Sequence, residues 1–186
     1  MQHSPLLDEY LSLLQRTTAD KQVPILDLAC GSGRNGLYLI ENNIPVTFAD
    51  VNGAALEQVQ QSLSCLSNDS QKLAQYWQVD FEQAGSAPLP ALSFAGVMVF
   101  RYLHRPLFEQ IKAAIKPGGI IIYETFTEQQ AQFGRPKNPD FLLKSAELLE
   151  MFVGWEILHS FEGVVDTVAN DGTKQAIAQI VAAKPK

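Results

Sequence analysis

Residues 25–39 read Ile25-Leu26-Asp27-Leu28-Ala29-Cys30-Gly31-Ser32-Gly33-Arg34-Asn35-Gly36-Leu37-Tyr38-Leu39. The apolar run from Val23 to Ala29 predicts a short buried strand. Glycines at 31, 33 and 36 follow, and Arg34 to Asn42 is helical in pattern, with Leu37, Tyr38 and Ile40 to pack. The spacing fits G-x-G-x-x-G, where the chain must turn tightly and the backbone must lie close to a ligand. The start of the helix adds free N–H groups and partial positive charge.

The same alternation runs outward from this unit. Upstream, residues 4–16 predict a helix with Ser4 as N-cap and Pro5 at its first position. Downstream, strands are expected at 45–49, 74–79, 94–100 and 120–126, and helices at 53–64, 106–115 and 145–152. The polar stretch 66–72 and the Gly/Pro/Ser-rich stretch 83–91 predict loops, and Lys116-Pro117-Gly118-Gly119 predicts a turn. Residues 127–140 form a long irregular polar segment, either a lid or an ordered surface loop. Two late strands, 155–161 and 175–182, have no crossover helix between them and so predict an antiparallel pair. The expected fold is α/β: a doubly wound, Rossmann-like, seven-stranded, mostly parallel sheet with an antiparallel last strand and helices on both faces. With no repeat and no linker, residues 1–186 are expected to form a single domain, with 1–20 as an N-terminal helical cover.

Composition narrows the classes. Of 186 residues 46% are hydrophobic and 18% charged, which opposes disorder. The net charge of −6 provides no general field for a nucleic-acid backbone, so no nucleic-acid partner is expected. Two cysteines, Cys30 and Cys65, are too few for a disulfide framework or a four-cysteine zinc site. No spacing of His, Asp and Cys suggests a metal site, so none is expected. The first residues lack a signal-peptide pattern and no apolar run is long enough to span a bilayer, so the expected location is the cytoplasm.

Two acidic residues follow the glycine loop. Asp50 ends the second expected strand, where a carboxylate can bond both hydroxyls of a ribose. Asp80 ends the third and precedes Phe81, a pairing suited to an adenine amino group with a ring against the base. Either acid could instead simply cap the next helix. A nicotinamide dinucleotide is the first rival ligand. Asp27 opposes it, because a carboxylate beside the loop repels a pyrophosphate and suits an ammonium or sulfonium. The chain is also short for a second dinucleotide half, and its last strands stand where helices would continue.

The stretch ILDLACGSGRNGLYL resembles the first motif of class I S-adenosylmethionine-dependent methyltransferases, and GSGRN-x-LYL is most similar to the small tellurite-resistance-type members. Asp50, Asp80-Phe81, the KPGG turn and the terminal strand pair are similar to that family's pattern over roughly residues 20–183. The sequence after the fifth strand departs from the tellurite type and does not carry its substrate over. The resemblance implies S-adenosyl-L-methionine as cofactor. It implies Asp27 near the methionine amino group through water, and Gly31 and Gly33 at the aminocarboxylate. Arg34 would anchor an acidic group or stand solvated at the helix end. Ala29, Ser32, Asn35, Val51, Phe100 and Arg101 complete the implied cofactor set.

Methyl transfer is an in-line displacement, so the protein mainly aligns the nucleophile and excludes water. A base matters only if the nucleophile arrives protonated. Catalytic candidates are Glu124, which lies in an otherwise apolar strand, His104 and Tyr102. Arg101, Tyr102, Arg105, Phe126, Phe133 and Arg135 are candidates for a small acceptor, and the arginines suit an anionic one. Alternative readings are an RNA or protein acceptor and a non-catalytic cofactor-binding scaffold.

Overall fold

The structure is a computed structural model and describes residues 2–19, 23–83, 85–167 and 172–186. Position 84 of the expected 83–91 loop, and residues 1 and 20 of the expected cover, lie outside the described residues.

The chain runs α1 (Pro5–Thr17), β1 (Ile25–Leu28), α2 (Arg34–Glu41), β2 (Val46–Asp50), α3 (Gly53–Leu63), α4 (Asn68–Gln71), β3 (Ala74–Gln78), β4 (Phe94–Phe100), α5 (Phe108–Ala114), β5 (Ile115–Phe126), α6 (Glu147–Met151), β6 (Glu156–Asp166) and β7 (Lys174–Ala183). The seven strands form one sheet in the order β3-β2-β1-β4-β5-β7-β6. Pairs among β1 to β5 are parallel, and β7 is antiparallel to both β5 and β6. Strand order reverses between β1 and β4, and in such sheets the crevice for ligands opens past the carboxyl ends of those strands.

The central strands are buried on both faces, as their near-continuous apolar sequence requires. Residues serve opposite layers, alternating from Val97 to Val99 in β4 and from Ile120 to Tyr123 in β5, with an irregularity between Phe94 and Gly96. Ala95, Met98, Ile120 and Ile122 pack with α1, α2 and α3 through Leu7, Leu14, Leu39, Ile40 and Val59. Val97, Val99, Ile121 and Tyr123 pack with α5 and α6 through Phe108, Ile111, Leu148 and Phe152.

Several local expectations are corrected. The polar stretch 66–72 contains the one-turn helix α4, because the Ser67 hydroxyl accepts the Ser70 N–H at 3.2 Å. The KPGG turn is absorbed into β5: Gly118 takes φ +74°, its N–H donates to Lys184 O at 3.0 Å, and Lys184 N–H returns to Gly119 O at 2.8 Å. The third strand stops at Gln78, so Asp80 sits in the turn beyond it. The sixth strand runs five residues past its expected end, to Asp166, because it pairs with β7 along its whole length. Ser4 stands at the N-cap of α1, yet its hydroxyl turns to Glu124 rather than capping the helix.

The β1–α2 loop is held in left-handed backbone at Ala29 (φ 53°), Gly31 (φ 53°) and Gly33 (φ 69°). A methyl at Gly33 would come within 2.5 Å of Val59 Cγ2. Left-handed backbone costs a residue with a β-carbon roughly 1–2 kcal/mol, and overpacking adds roughly 1–3. Gly33→Ala should therefore destabilise the protein by about 3 kcal/mol, whereas Ala29→Gly should stabilise it by up to about 1 kcal/mol. Urea denaturation of the two variants checks the opposite signs.

Candidate functional site

The carboxyl ends of β1, β2 and β4 meet at the glycine loop. Asp50, the last residue of β2, fastens it: Oδ2 accepts the Gly31 N–H at 2.8 Å, and Oδ1 accepts the Asn52 N–H at 2.9 Å. A carboxylate has about four acceptor positions, so half remain for another donor. Nothing lies within 4 Å of where a Gly31 side chain would project, so the loop is open there. Gly33 and Gly36 serve another purpose. Both abut the Phe48 ring of β2, so packing rather than ligand approach requires glycine at these two positions. Among the described residues, the N–H groups of Ser32, Arg34 and Asn35 have no protein partner, which leaves a row of donors at the head of α2.

Asp27 is buried at 3% exposure and its Oδ2 accepts the Gly36 N–H at 3.0 Å. It ties α2 to β1 from behind the loop through that oxygen. Burial pushes its pKa up to about 7, against the lowering effects of the Gly36 N–H and of Arg34. Asn35 is also buried, and its side-chain Oδ1 accepts the Ser4 N–H at 2.9 Å and so holds the N-terminal cover. Cys30 is half-buried, and desolvation pushes its thiol pKa up, which argues against a nucleophile.

Around the crevice rim, Ser32 is exposed, Val51 presents an apolar side chain at 60% exposure, and Asp80 is exposed with Oδ1 accepting the Glu82 N–H. Phe81 departs from expectation. Its ring is buried in the core, edge-on to Trp77, and cannot lie against a base in the crevice. Phe100 packs towards the α1–α3 layer.

Arg101 follows β4 in left-handed backbone (φ 58°) and lines two cavities. The first, of about 230 Å³, lies between the start of α1 and the ends of β5 and β7 and is faced by Arg34, Glu124, His159, Gln175 and Gln179. The second, of about 550 Å³, is faced by Glu82, Tyr102, Leu103, Phe126, Arg135 and Phe141. The Arg101 guanidinium sits 5.6 Å over the Phe126 ring and donates to Gln175 Oε1 at 3.4 Å. Tyr102 directs a buried hydroxyl with no hydrogen-bond partner, and burial together with the nearby Glu82 carboxylate raises its pKa.

Three other candidates are placed elsewhere. Arg105 makes a bidentate pair with Glu147 (2.6 and 2.9 Å) and donates to the carbonyls of Asp140 and Leu142. All its reach is spent on the β5–α6 connection, and none on an acceptor. His104 precedes a single 3₁₀ turn, makes no capping bond and faces neither cavity. Phe133 is exposed at 41% and also faces neither. Segment 127–140 is fastened at both ends: Gln130 Oε1 accepts the Ala176 N–H at 2.8 Å, Glu128 N–H donates to Leu143 O, and Arg105 holds Asp140.

Glu124 is 94% buried at the floor of the first cavity, where Gln179 Nε2 donates to its Oε2 at 2.7 Å and Ser4 Oγ at 3.4 Å. Gln179 Oε1 in turn bonds His159 Nε2 at 3.1 Å. The sequence reading missed Gln175, Gln179 and His159. The available clue was two glutamines four apart in the otherwise apolar β7, which places them on one face of the strand.

Among the described residues no group of His, Cys, Asp and Glu is placed to hold a metal, and no helix is long and apolar enough to cross a membrane.

Comparison with known proteins fixes the class. Residues 25–119, just over half of the chain, match the methyltransferase domain family. The fold is similar to that of TehB from Haemophilus influenzae, with TM-score 0.71 and 19% identity over 96% of this chain and 65% of that one. This chain thus spans slightly less than two thirds of the length of TehB. It is also similar to an S-adenosylmethionine-dependent methyltransferase from Methanosarcina mazei (TM-score 0.68, 18% identity, 100% and 99% covered). A third likeness is the glycopeptide N-methyltransferase MtfA complexed with S-adenosylmethionine (TM-score 0.61, 14% identity, 98% of each chain). No curated protein sequence matches significantly. The chain belongs to the methyltransferase domain family. Its fold is that of the S-adenosylmethionine-dependent methyltransferases to which it is similar.

The buried acid at the root of the loop has a measurable consequence. Between about pH 4 and pH 7 the folded state keeps a proton on Asp27 that the unfolded chain has released, so stability falls as pH rises through that window and is flat above it. The loss attributable to this group is on the order of 4 kcal/mol. Asp27→Asn keeps the acceptor for Gly36 and removes the titration. The difference between wild-type and variant unfolding free energies, measured from pH 4 to 8, should follow this slope. Parallel curves would rule out a proton held on Asp27.

Proposed function

We propose that the protein transfers a methyl group from S-adenosylmethionine to a small acceptor bearing an anionic group, in the cytoplasm and without a nucleic-acid partner. The observation that carries this reading is the junction of Asp50 with the open loop at Gly31, beside the unpaired N–H groups that head α2. These residues fit the cofactor. The N–H groups of Arg34 and Asn35 suit its aminocarboxylate. The free lone pairs of Asp50 suit ribose hydroxyls, and Val51 and Asp80 offer an apolar face and an acceptor for the adenine. When bound, the cofactor supplies a methyl group activated on a sulfonium.

The chain's own residues supply position and charge. Arg34 and Arg101, which follow β1 and β4, face one cavity, which supports an acceptor with negative charge despite the net charge of −6. Arg101 and Tyr102 stand where β4 delivers them, at the exit a nucleophile must use to reach the methyl carbon. The transfer needs the nucleophile and methyl carbon in line and water excluded, and the N-terminal cover closes one side of that space through Ser4 and Asn35.

Calorimetric titration with S-adenosylmethionine, S-adenosylhomocysteine and NAD tests this reading. Both sulfur ligands should bind, NAD should not, and Asp50→Ala should weaken the sulfur ligands about 100-fold through two lost charge-assisted hydrogen bonds. Binding of NAD alone would sink the proposal.

A further inference from the structure

We infer that the first cavity is the acceptor pocket, and that it takes a small zwitterion carrying a carboxylate and an amine, with the amine methylated and Glu124 as its general base. This rests on the methyltransferase reading above. The two cavities share Arg101 and otherwise have different linings. The second is bounded by Glu82, two residues past Asp80, and by the rings of Tyr102 and Phe126, and so adjoins the end suited to the adenine. The first contains Arg34, the first residue of α2, and so adjoins the end suited to the aminocarboxylate. The methyl group is carried on the sulfur that joins these halves, on the methionine side, so an acceptor in the first cavity can meet it. At about 230 Å³ the cavity is smaller than the roughly 300–1,000 Å³ of drug-sized sites, which restricts it to a small molecule.

Its charges select the class. Arg34 and Arg101 both line the cavity. Burial first, and then the charge of Arg101, lower the Arg34 pKa against the opposing Glu124 and Asp27, so an anion beside the two guanidiniums is favoured. Three carboxylates share the cavity: Glu124 at the floor, Glu9 exposed at the rim, and Asp166 at the rim, where Lys174 Nζ pairs with it at 3.4 Å. A simple anion would meet Glu124 and Glu9 uncompensated, and a simple cation would meet the arginines. A molecule with both charges satisfies both sets.

Glu124 is built for a proton. Its Oε2 accepts from Gln179 and Ser4, and Gln179 is itself braced by His159, so the carboxylate is held in one orientation. Among the described residues its Oε1 has no partner. In the step, the ammonium proton of the acceptor passes to Glu124 Oε1. The freed nitrogen lone pair forms the C–N bond to the methyl carbon while the C–S bond breaks, its electrons returning to sulfur as the neutral thioether. The proton remaining on the methylated amine balances the sulfonium charge that is lost, and the Glu124 proton leaves to solvent.

The experiment uses the full chain saturated with S-adenosylhomocysteine and titrates glycine, β-alanine and γ-aminobutyrate, with propionate and propylamine as single-charge probes. Turnover with S-adenosylmethionine is followed by mass. At least one aminocarboxylate should bind and be N-methylated, and both single-charge probes should bind at least 10-fold more weakly. Glu124→Gln should lower kcat about 100-fold with KM within threefold, and Arg101→Met should raise KM about 10-fold. Should Glu124→Gln fail to fold, Gln179→Met removes the donor that aims the carboxylate and should lower kcat in the same sense. Equal binding of propionate, full kcat in both variants, or a KM effect of Arg135→Ala with Arg101→Met silent would each overturn the assignment. So would no binding of any probe while S-adenosylhomocysteine binds, and that outcome would leave the methyltransferase reading standing. Failure of S-adenosylhomocysteine itself to bind would sink both.

Discussion

The seating of α2 on β2 through bare glycine backbone is the contact on which the rest depends. Phe48 fills the space that side chains at positions 33 and 36 would take, and Val59 of α3 closes on the same spot. That close approach brings the head of α2 to the carboxyl end of the sheet. It also lets two carboxylates act as fasteners, Asp27 from inside the core and Asp50 from the end of β2. The loop between them is thereby fixed in left-handed backbone, with its N–H donors facing outward. Positioning of this kind can serve catalysis because the donors do not have to reorganise when a ligand arrives.

Much of this was legible in the sequence. The alternation of apolar runs with helical patterns gave strand number and the antiparallel ending, because a buried parallel strand and an amphipathic helix have different periods. Where the reading failed, tertiary contacts overrode local pattern. KPGG has turn chemistry, yet Gly118 and Gly119 are stitched to Lys184, a residue sixty-odd positions away that no local rule can see. The Phe81 ring follows an acid in a turn, but Trp77 and the core behind it offered more burial than an open crevice could.

The site was legible in residue types and less so in their use. Arginine after β4 and β5 suggested anion binding, and the sequence could not say which guanidinium was already engaged. Arg105 found Glu147, a partner 42 residues distant, and became a strap across the β5–α6 connection. Arg34, read as either an anchor or a solvated helix end, instead reaches back to the Gln2 carbonyl at 2.6 Å and faces Arg101. Glutamines were passed over because they carry no charge. In β7 they do what charge cannot: one amide group both accepts from His159 and donates to Glu124, so a single side chain orients a buried acid without neutralising it.

The negative sign of the whole chain therefore says little about what the site prefers. Asp27 and Asp50 are committed to backbone N–H groups and Glu147 to Arg105, so these acids hold the frame. What an acceptor meets is the remainder: two guanidiniums lining one cavity, a braced carboxylate with them, exposed Glu9, and Asp166 already paired with Lys174. Charges this close, in a partly desolvated space, interact more strongly than the solvated charges that dominate the net count. Selection between acceptors is then a matter of local charge pattern, and a pattern that alternates in sign favours a ligand that alternates too.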